Sequence, residues 1–176
     1  MDFPQRKRNR LKGYDYSHSG IYFVTICASP RKNVFWIPSE LDRLAHTAPT
    51  DPVGADIIRP LQAPLSEAGR IVETAILSIA EHYDGVEADH YCIMPDHVHL
   101  LLLFEGDIWG KTEAPPLSIV IGSLKRWVSK QLGYSIWQKS FYDHIIRSEK
   151  DFHAALHYIE RNPAQWQADH GDDIWV

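Results

Sequence analysis

Two histidines, His97 and His99, stand one residue apart in the string MPDHVHLLLLF, which runs from Met94 to Phe104. Val98 and the residues from Leu100 to Phe104 are apolar. A run this short and this apolar reads as a buried strand rather than a helix. Side chains alternate on a strand, so positions 97 and 99 point to the same face. Two imidazoles side by side on a rigid strand supply half of a divalent-metal site. A lone histidine in such a setting is more often a satisfied core residue. It is the pairing that lifts this string above that reading.

A second group of reactive residues lies downstream, in SEKDFHAALHYIERNP from Ser148 to Pro163. Tyr158 and Asn162 are four residues apart, which puts them one turn apart on one face of a helix. That face is offset from the apolar stripe through Phe152, Ala155, Leu156 and Ile159. Alone, Tyr158 reads as packing and Asn162 as a helix end. Together with the histidine strand they suggest a composite site of two imidazoles, an amide oxygen as third ligand and a nearby phenol. Such donors suit a borderline or hard divalent ion with open positions, which can polarise a substrate oxygen. A phenol ordinarily titrates near pH 10, so it is a poor nucleophile unless it is aimed. A polarised phosphodiester is a target it could attack. The covalent phosphotyrosine ester would keep the energy of the broken bond and allow a strand to be rejoined.

The elements that must position these groups follow from the patterning. Ile21–Ala28 (IYFVTICA) is dense in β-branched and aromatic residues and makes a strand. Asn33–Ile37 reads as a short strand or edge. Residues 38–65, with five prolines, read as a long loop or insertion. Ser66 caps a helix carrying Ala68, Ile71, Val72, Ala75, Ile76, Ile79 and Ala80 on one face, and Gly85 ends it. Val86–Ile93 is the next strand, Met94-Pro95-Asp96 a turn, and His97–Phe104 the antiparallel return. Residues 105–116 form a loop. Leu117–Leu132 is an amphipathic helix with Lys125, Arg126 and Lys130 outward. A short strand follows near Ile136–Phe141 or His144–Ile146. Ser148, with Asp151 three residues on, opens the last helix. Pro163 is expected to stop it and to bias Asn162 away from helical geometry. Residues 164–176 would be a tail.

The order strand, helix, strand, strand, helix, strand, helix predicts an α+β fold of the split βαβ, ferredoxin-like kind with an additional C-terminal helix. One sheet face would pack the two amphipathic helices. The other would carry His97 and His99, partly covered by the helix bearing Tyr158. Leu101 and Leu103 continue that face as apolar surface and need cover from the last helix or a partner.

At 176 residues, with 44% hydrophobic and 23% charged residues, the chain is read as one soluble domain over 1–176. No stretch is apolar enough to span a bilayer, and the basic start does not read as a secretory signal. Cys27 and Cys92 are expected to be buried free thiols in a reducing compartment, with a single disulfide as the alternative. There is no CxxC pair for a zinc ribbon. The net charge of −5 argues against a protein that coats nucleic acid, yet basic residues cluster locally. Arg6, Lys7, Arg8, Arg10 and Lys12 form an arm within residues 1–19, and Lys125, Arg126 and Lys130 form a second patch. Local patches can bind phosphates despite an acidic total. A histidine-triad hydrolase needs a third alternating histidine, but position 101 is Leu101. Paired His-x-Thr/Ser and HExxH motifs are absent. His90, His144, His153 and His157 lack ligand-like spacing.

With these residues assembled, the chain resembles the single-tyrosine HUH transposases, in particular their REP-associated branch. The resemblance runs from RLKGYDYSHSGIYFVTIC (Arg10–Cys27), through SEAGRIV (Ser66–Val72) and YCIMPDHVHLLL (Tyr91–Leu102), to SFYDHIIRSEKDFHAALHYIERNP (Ser140–Pro163). It implies that His97, His99 and Asn162 are metal ligands and that Tyr158 is the nucleophile joined to a DNA 5′ phosphate. It implies Mg2+ or Mn2+ as cofactor. The partner implied is single-stranded DNA with a hairpin at a repetitive palindrome, the protein being a monomer or homodimer in the cytoplasm, associated with the nucleoid. Arg6, Lys7, Arg8, Arg10, Lys12, Lys125, Arg126 and Lys130 would contact DNA phosphates, which position the strand rather than read it. The alternative on the same fold is a non-catalytic, domesticated hairpin-binding protein. An RNA-binding ferredoxin-like module would need aromatics on the open sheet face, where the histidines stand. A dimer-forming structural protein would need an apolar exposed sheet edge.

Overall fold

The computed structural model describes residues 19–37, 64–105 and 115–170. The basic arm with Arg6, Lys7, Arg8, Arg10 and Lys12 lies outside the described residues, as does most of the proline-rich segment and of the 105–116 loop. The elements are β1 (Gly20–Cys27), α1 (Glu67–Leu77), α2 (Ile79–His82), β2 (Val86–Ile93), β3 (His97–Phe104), α3 (Leu117–Leu132), β4 (Tyr142–Ile146) and α4 (Glu149–His170). The four strands form one antiparallel sheet in the order β2-β3-β1-β4, the split βαβ arrangement the patterning predicts.

Alternation sorts β1 onto two faces. Tyr22, Val24 and Ile26 are fully buried beneath the stripes of α1 (Val72, Ala75, Ile76) and α3 (Val120, Ile121, Leu124, Val128). Ile21, Phe23, Thr25 and Cys27 lie on the opposite face, in register with Leu103, Leu101, His99 and His97 of β3. That face is crossed by α4. The helix starts beside β4, where Asp151 meets His144 at 3.0 Å. It passes over Phe23 and His99 at Tyr158 and ends against Trp36, whose ring meets Trp166 edge-on at 5.2 Å. Leu101 is fully buried on that face, while Leu103 remains only partly buried.

The caps form as expected. Ser66 Oγ accepts from Gly69 N–H at 3.1 Å, and Ser148 Oγ accepts from Asp151 N–H at 3.2 Å. Several boundaries differ. The helix expected over Ser66–Gly85 breaks at Ser78, whose hydroxyl donates back to the Ala75 carbonyl at 3.0 Å and competes with the helical ladder. Asn33–Ile37 forms a turn with one bridge, Trp36 to Leu65, instead of a strand. Of the two segments offered for the last strand, the one around His144–Ile146 is the strand, and Trp137 makes only a bridge to Ala28. Pro163 does not stop α4, and Asn162 is helical within it. Proline removes one backbone donor and its ring crowds the preceding turn. Here Pro163 is buried and the Trp166–Trp36 contact anchors the chain beyond it, so packing carries the helix to His170. The expected tail from residue 164 is thus helical as far as 170.

Candidate functional site

The site is assembled from β1, β3, the turn before β3 and the middle of α4. His97 and His99 project from the same face of β3, and their Nε2 atoms are 3.0 Å apart. Each ring is held at its other nitrogen. His97 Nδ1 meets Asp96 Oδ1 at 2.6 Å, and Asp96 Oδ2 pairs with Arg31 Nε at 2.9 Å. His99 Nδ1 meets Thr25 Oγ1 at 2.8 Å, across the β1–β3 ladder. If Asp96 and Thr25 each accept an Nδ1–H, both Nε2 lone pairs face the gap between the rings. That tautomer pair places two lone pairs against each other and calls for a cation. A proton on one Nε2 would make the 3.0 Å contact a hydrogen bond; with neither protonated, the two rings would be placed to hold one cation between them.

Burial pushes the His99 pKa down to about 3, with the His97 charge adding to the effect. His99 is therefore neutral at physiological pH, as a ligand must be. Burial raises the Asp96 carboxyl, but the bonds and charge of His97 and Arg31 outweigh it and hold it below the usual range. Asp96 thus stays ionised and orients His97.

Tyr158 stands over the buried histidine. Its ring is edge-on to His99 at 5.1 Å and to Phe23 at 5.8 Å, while Phe23 stacks on His99 at 5.3 Å and 17°. Tyr158 as a whole is 52% exposed, so it is accessible to a ligand. Asn162 lies one turn further along α4, and its Nδ2 is buried with no hydrogen-bond partner. That atom is a hydrogen-bond donor, so what it lacks is an acceptor; a metal ion would take the Oδ1 of the same amide. Among the described residues no set of three or more His, Cys, Asp or Glu side chains has metal-holding geometry. Cys92 is the cross-strand partner of His99, but burial pushes its thiol up to about 12 and keeps it protonated. The two imidazole nitrogens fit a borderline divalent ion, and Asn162 on the same helix face as Tyr158 could add an amide oxygen.

The fold brings Tyr158, His97 and His99 together. The second basic patch is elsewhere. Lys125, Arg126 and Lys130 ride on α3, which covers the opposite face of the sheet. Arg126 and Lys130 line a groove of about 330 Å3 between α1, α2 and α3, with Trp127 and His82. Lys125 is half-buried, and its ammonium donates to the carbonyls of Gln138 (2.5 Å) and Ser140 (3.3 Å). It ties α3 to the segment before β4. Both cysteines are free and buried. His157 points away from the site, with Glu160 its nearest acid at 3.9 Å. Sequence reasoning missed Thr25, Phe23, Asp96 and Arg31. Asp96 was adjacent to His97 in the motif, and the alternation of IYFVTIC put Phe23 and Thr25 on one face. What no local signal reveals is that this face lies against His99.

No family model matches the sequence. A Haemophilus influenzae protein provisionally named a REP-associated tyrosine transposase is 33% identical over 108 residues, covering 52% of this chain and 57% of its own length. The solved structure of a REP-associated tyrosine transposase bound to a REP hairpin shares the fold with a TM-score of 0.59. It is 18% identical in sequence, with 89% of this chain and 73% of that chain covered. The chain is thus similar in sequence to one such protein over about half its length and shares the fold of another. An uncharacterized H. influenzae protein is 28% identical over 184 aligned positions, covering 93% of this chain and 91% of its own. No helix among the described residues is long and apolar enough to cross a membrane.

Proposed function

We propose that this chain is a divalent-metal-dependent single-stranded DNA endonuclease and strand transferase that acts at hairpins and forms a 5′-phosphotyrosine intermediate. The observation that carries this reading is the convergence of the exposed Tyr158 ring, 5.1 Å from His99, with two imidazoles whose Nε2 atoms are 3.0 Å apart. The solved relative's hairpin-bound state supports DNA of that shape as the partner.

His97, His99 and Asn162 would hold a Mg2+ or Mn2+ ion, which supplies Lewis-acid polarisation of the scissile phosphate. Asp96 and Thr25 fix the two rings so that both Nε2 lone pairs face the ligand. Phe23 and His99 pack the edges of the Tyr158 ring and aim its hydroxyl toward the open side. The phenol oxygen attacks phosphorus, its proton leaves to solvent, and the bond to the 3′ oxygen breaks. That oxygen takes up a proton and leaves as a 3′ hydroxyl, while the 5′ phosphate remains on Tyr158. Attack by a 3′ hydroxyl on the ester reverses the steps and rejoins DNA without ATP. Arg126 and Lys130, and the arm with Arg6, Lys7, Arg8, Arg10 and Lys12, would hold phosphates away from the cleavage point. For Lys125 such a role requires release of the carbonyls it now holds.

The test is covalent capture. Wild-type protein, hairpin DNA from the palindromes flanking its own gene and Mn2+ should give a protein–DNA adduct on a denaturing gel. Tyr158→Phe should give none at unchanged thermal stability, because the lost hydroxyl is at the open side. Adduct that persists in Tyr158→Phe would refute the assigned nucleophile. Hairpin binding without any adduct would favour the non-catalytic hairpin-binding protein.

A further inference from the structure

Tyr142 opens β4 at the edge of the sheet. It is 55% exposed, and no hydrogen bond or ring contact engages it among the described residues. Exposing a large aromatic ring without a partner does nothing for the fold. Its place is informative. Tyr142 is the cross-strand partner of Thr25, and Thr25 is the cross-strand partner of His99. Directly opposed residues share a face, so Tyr142, Thr25 and His99 form one row across the sheet. Neighbouring strands are about 4.8 Å apart, which puts the Tyr142 and His99 backbones about 10 Å apart along that row. The next residue of β4 on the same face is His144, held under the first turn of α4 by Asp151 at 3.0 Å. Helix α4 therefore covers the far end of β4 and leaves Tyr142 at the uncovered end, beside the residue that orients His99.

We propose that Tyr142 is the stacking platform for one unpaired base of the DNA strand, that of a nucleotide next to the phosphate held at His97 and His99. The inference rests on the strand-transfer reading for the identity of that phosphate. A nucleotide's base and its neighbouring phosphate are separated on the scale of this two-strand step. β4 is the edge strand among the described residues, so a single strand can enter over it without displacing a described element. Stacking on a tyrosine face is sequence-tolerant, because every base presents a π surface. The neighbouring aromatics are committed elsewhere. Phe23 packs on His99 and Tyr158. Tyr142 would thus set how the strand lies across the site, a positioning role separate from the chemistry.

The experiment uses the full chain in a Tyr158→Phe background, so that binding is read without cleavage. The probe is a hairpin oligonucleotide with a short single-stranded flank, in which 2-aminopurine is scanned position by position and its fluorescence followed. One flank position should be quenched on binding. Tyr142→Ala should abolish that quenching and raise Kd about tenfold, the loss expected for one stacked base. Tyr142→Phe should retain both, since the ring and not the hydroxyl is needed. With an abasic nucleotide at the quenched position, the tyrosine and alanine forms should bind equally. Equal affinity of Tyr142→Ala on intact DNA overturns the proposal. So does loss in Tyr142→Phe, or an equal loss in Tyr142→Ala on abasic DNA. Failure of the strand-transfer reading has a different signature: no adduct from the protein with Tyr158 intact, while Tyr142-dependent quenching persists.

Discussion

Replacing Asp96 with asparagine tests the claim that the turn before β3 sets the metal-binding state of His97. The carboxylate accepts from His97 Nδ1 at 2.6 Å with one oxygen and from Arg31 Nε at 2.9 Å with the other. Asparagine has one acceptor and one donor, so it cannot satisfy both. If its oxygen faces His97, its amide N–H groups face the Arg31 guanidinium and the pair is lost. If its amide faces His97, Nδ1 must accept, and the ring proton moves to Nε2. That is the atom 3.0 Å from His99 Nε2, and a proton there removes the lone pair a metal needs. Loss of such an outer carboxylate typically weakens metal binding about 10- to 100-fold, or about 1.4 to 2.7 kcal/mol. The Arg31 side chain is 54% exposed, so the ion pair itself adds little to folding. Asp96→Asn should therefore lower Mn2+ affinity in a calorimetric titration without DNA, while the thermal midpoint in chelator changes by only a few degrees. Wild-type Mn2+ affinity in the variant would refute the reasoning. A wild-type protein that takes up no Mn2+ would sink the metal site itself.

Gly69→Ala should destabilise the protein by about 1 to 3 kcal/mol in urea unfolding, because the new Cβ would overlap the Phe35 carbonyl oxygen and press on Leu65 at 3.1 Å; a gain in stability, as helix propensity alone predicts, would contradict the packing. For acid stability the sign follows from His99, which is buried, with its pKa about 3 in the fold against 6.5 ordinarily. The unfolded chain takes the proton first, so the metal-free protein should keep full stability above pH 6.5. It should then lose up to about 1.4 kcal/mol per pH unit toward pH 3. His99→Gln should flatten that slope in denaturant titrations, and an unchanged slope would show that His99 does not carry it.

The chemistry-bearing strings were readable because each is local. The two-residue period of a strand puts His97 and His99 on one face whatever surrounds them, and the four-residue spacing puts Tyr158 and Asn162 on one side of a helix. Capping serines and apolar stripes marked the helices, and the order of elements pointed to the split βαβ sheet. Helix ends were less legible where packing overrides propensity. Pro163 predicts a stop, but the Trp36–Trp166 contact joins residues far apart in sequence and carries α4 onward.

Register and docking were decided only in three dimensions. Nothing within β1 specifies that Thr25 lies opposite His99, 74 residues away, or that Tyr142 continues that row. Periodicity assigns a residue to a face but not to a partner, since shifting a strand by two residues keeps every face and changes every neighbour. The patterning did put both amphipathic helices on the face away from the histidines, which is where Arg126 and Lys130 ride, but only the structure drew Lys125 into carbonyl contacts. The sequence by itself determined the reactive groups and the faces they occupy. The tertiary structure decided that those faces meet, because long-range packing alone selects among the registers that local patterning allows.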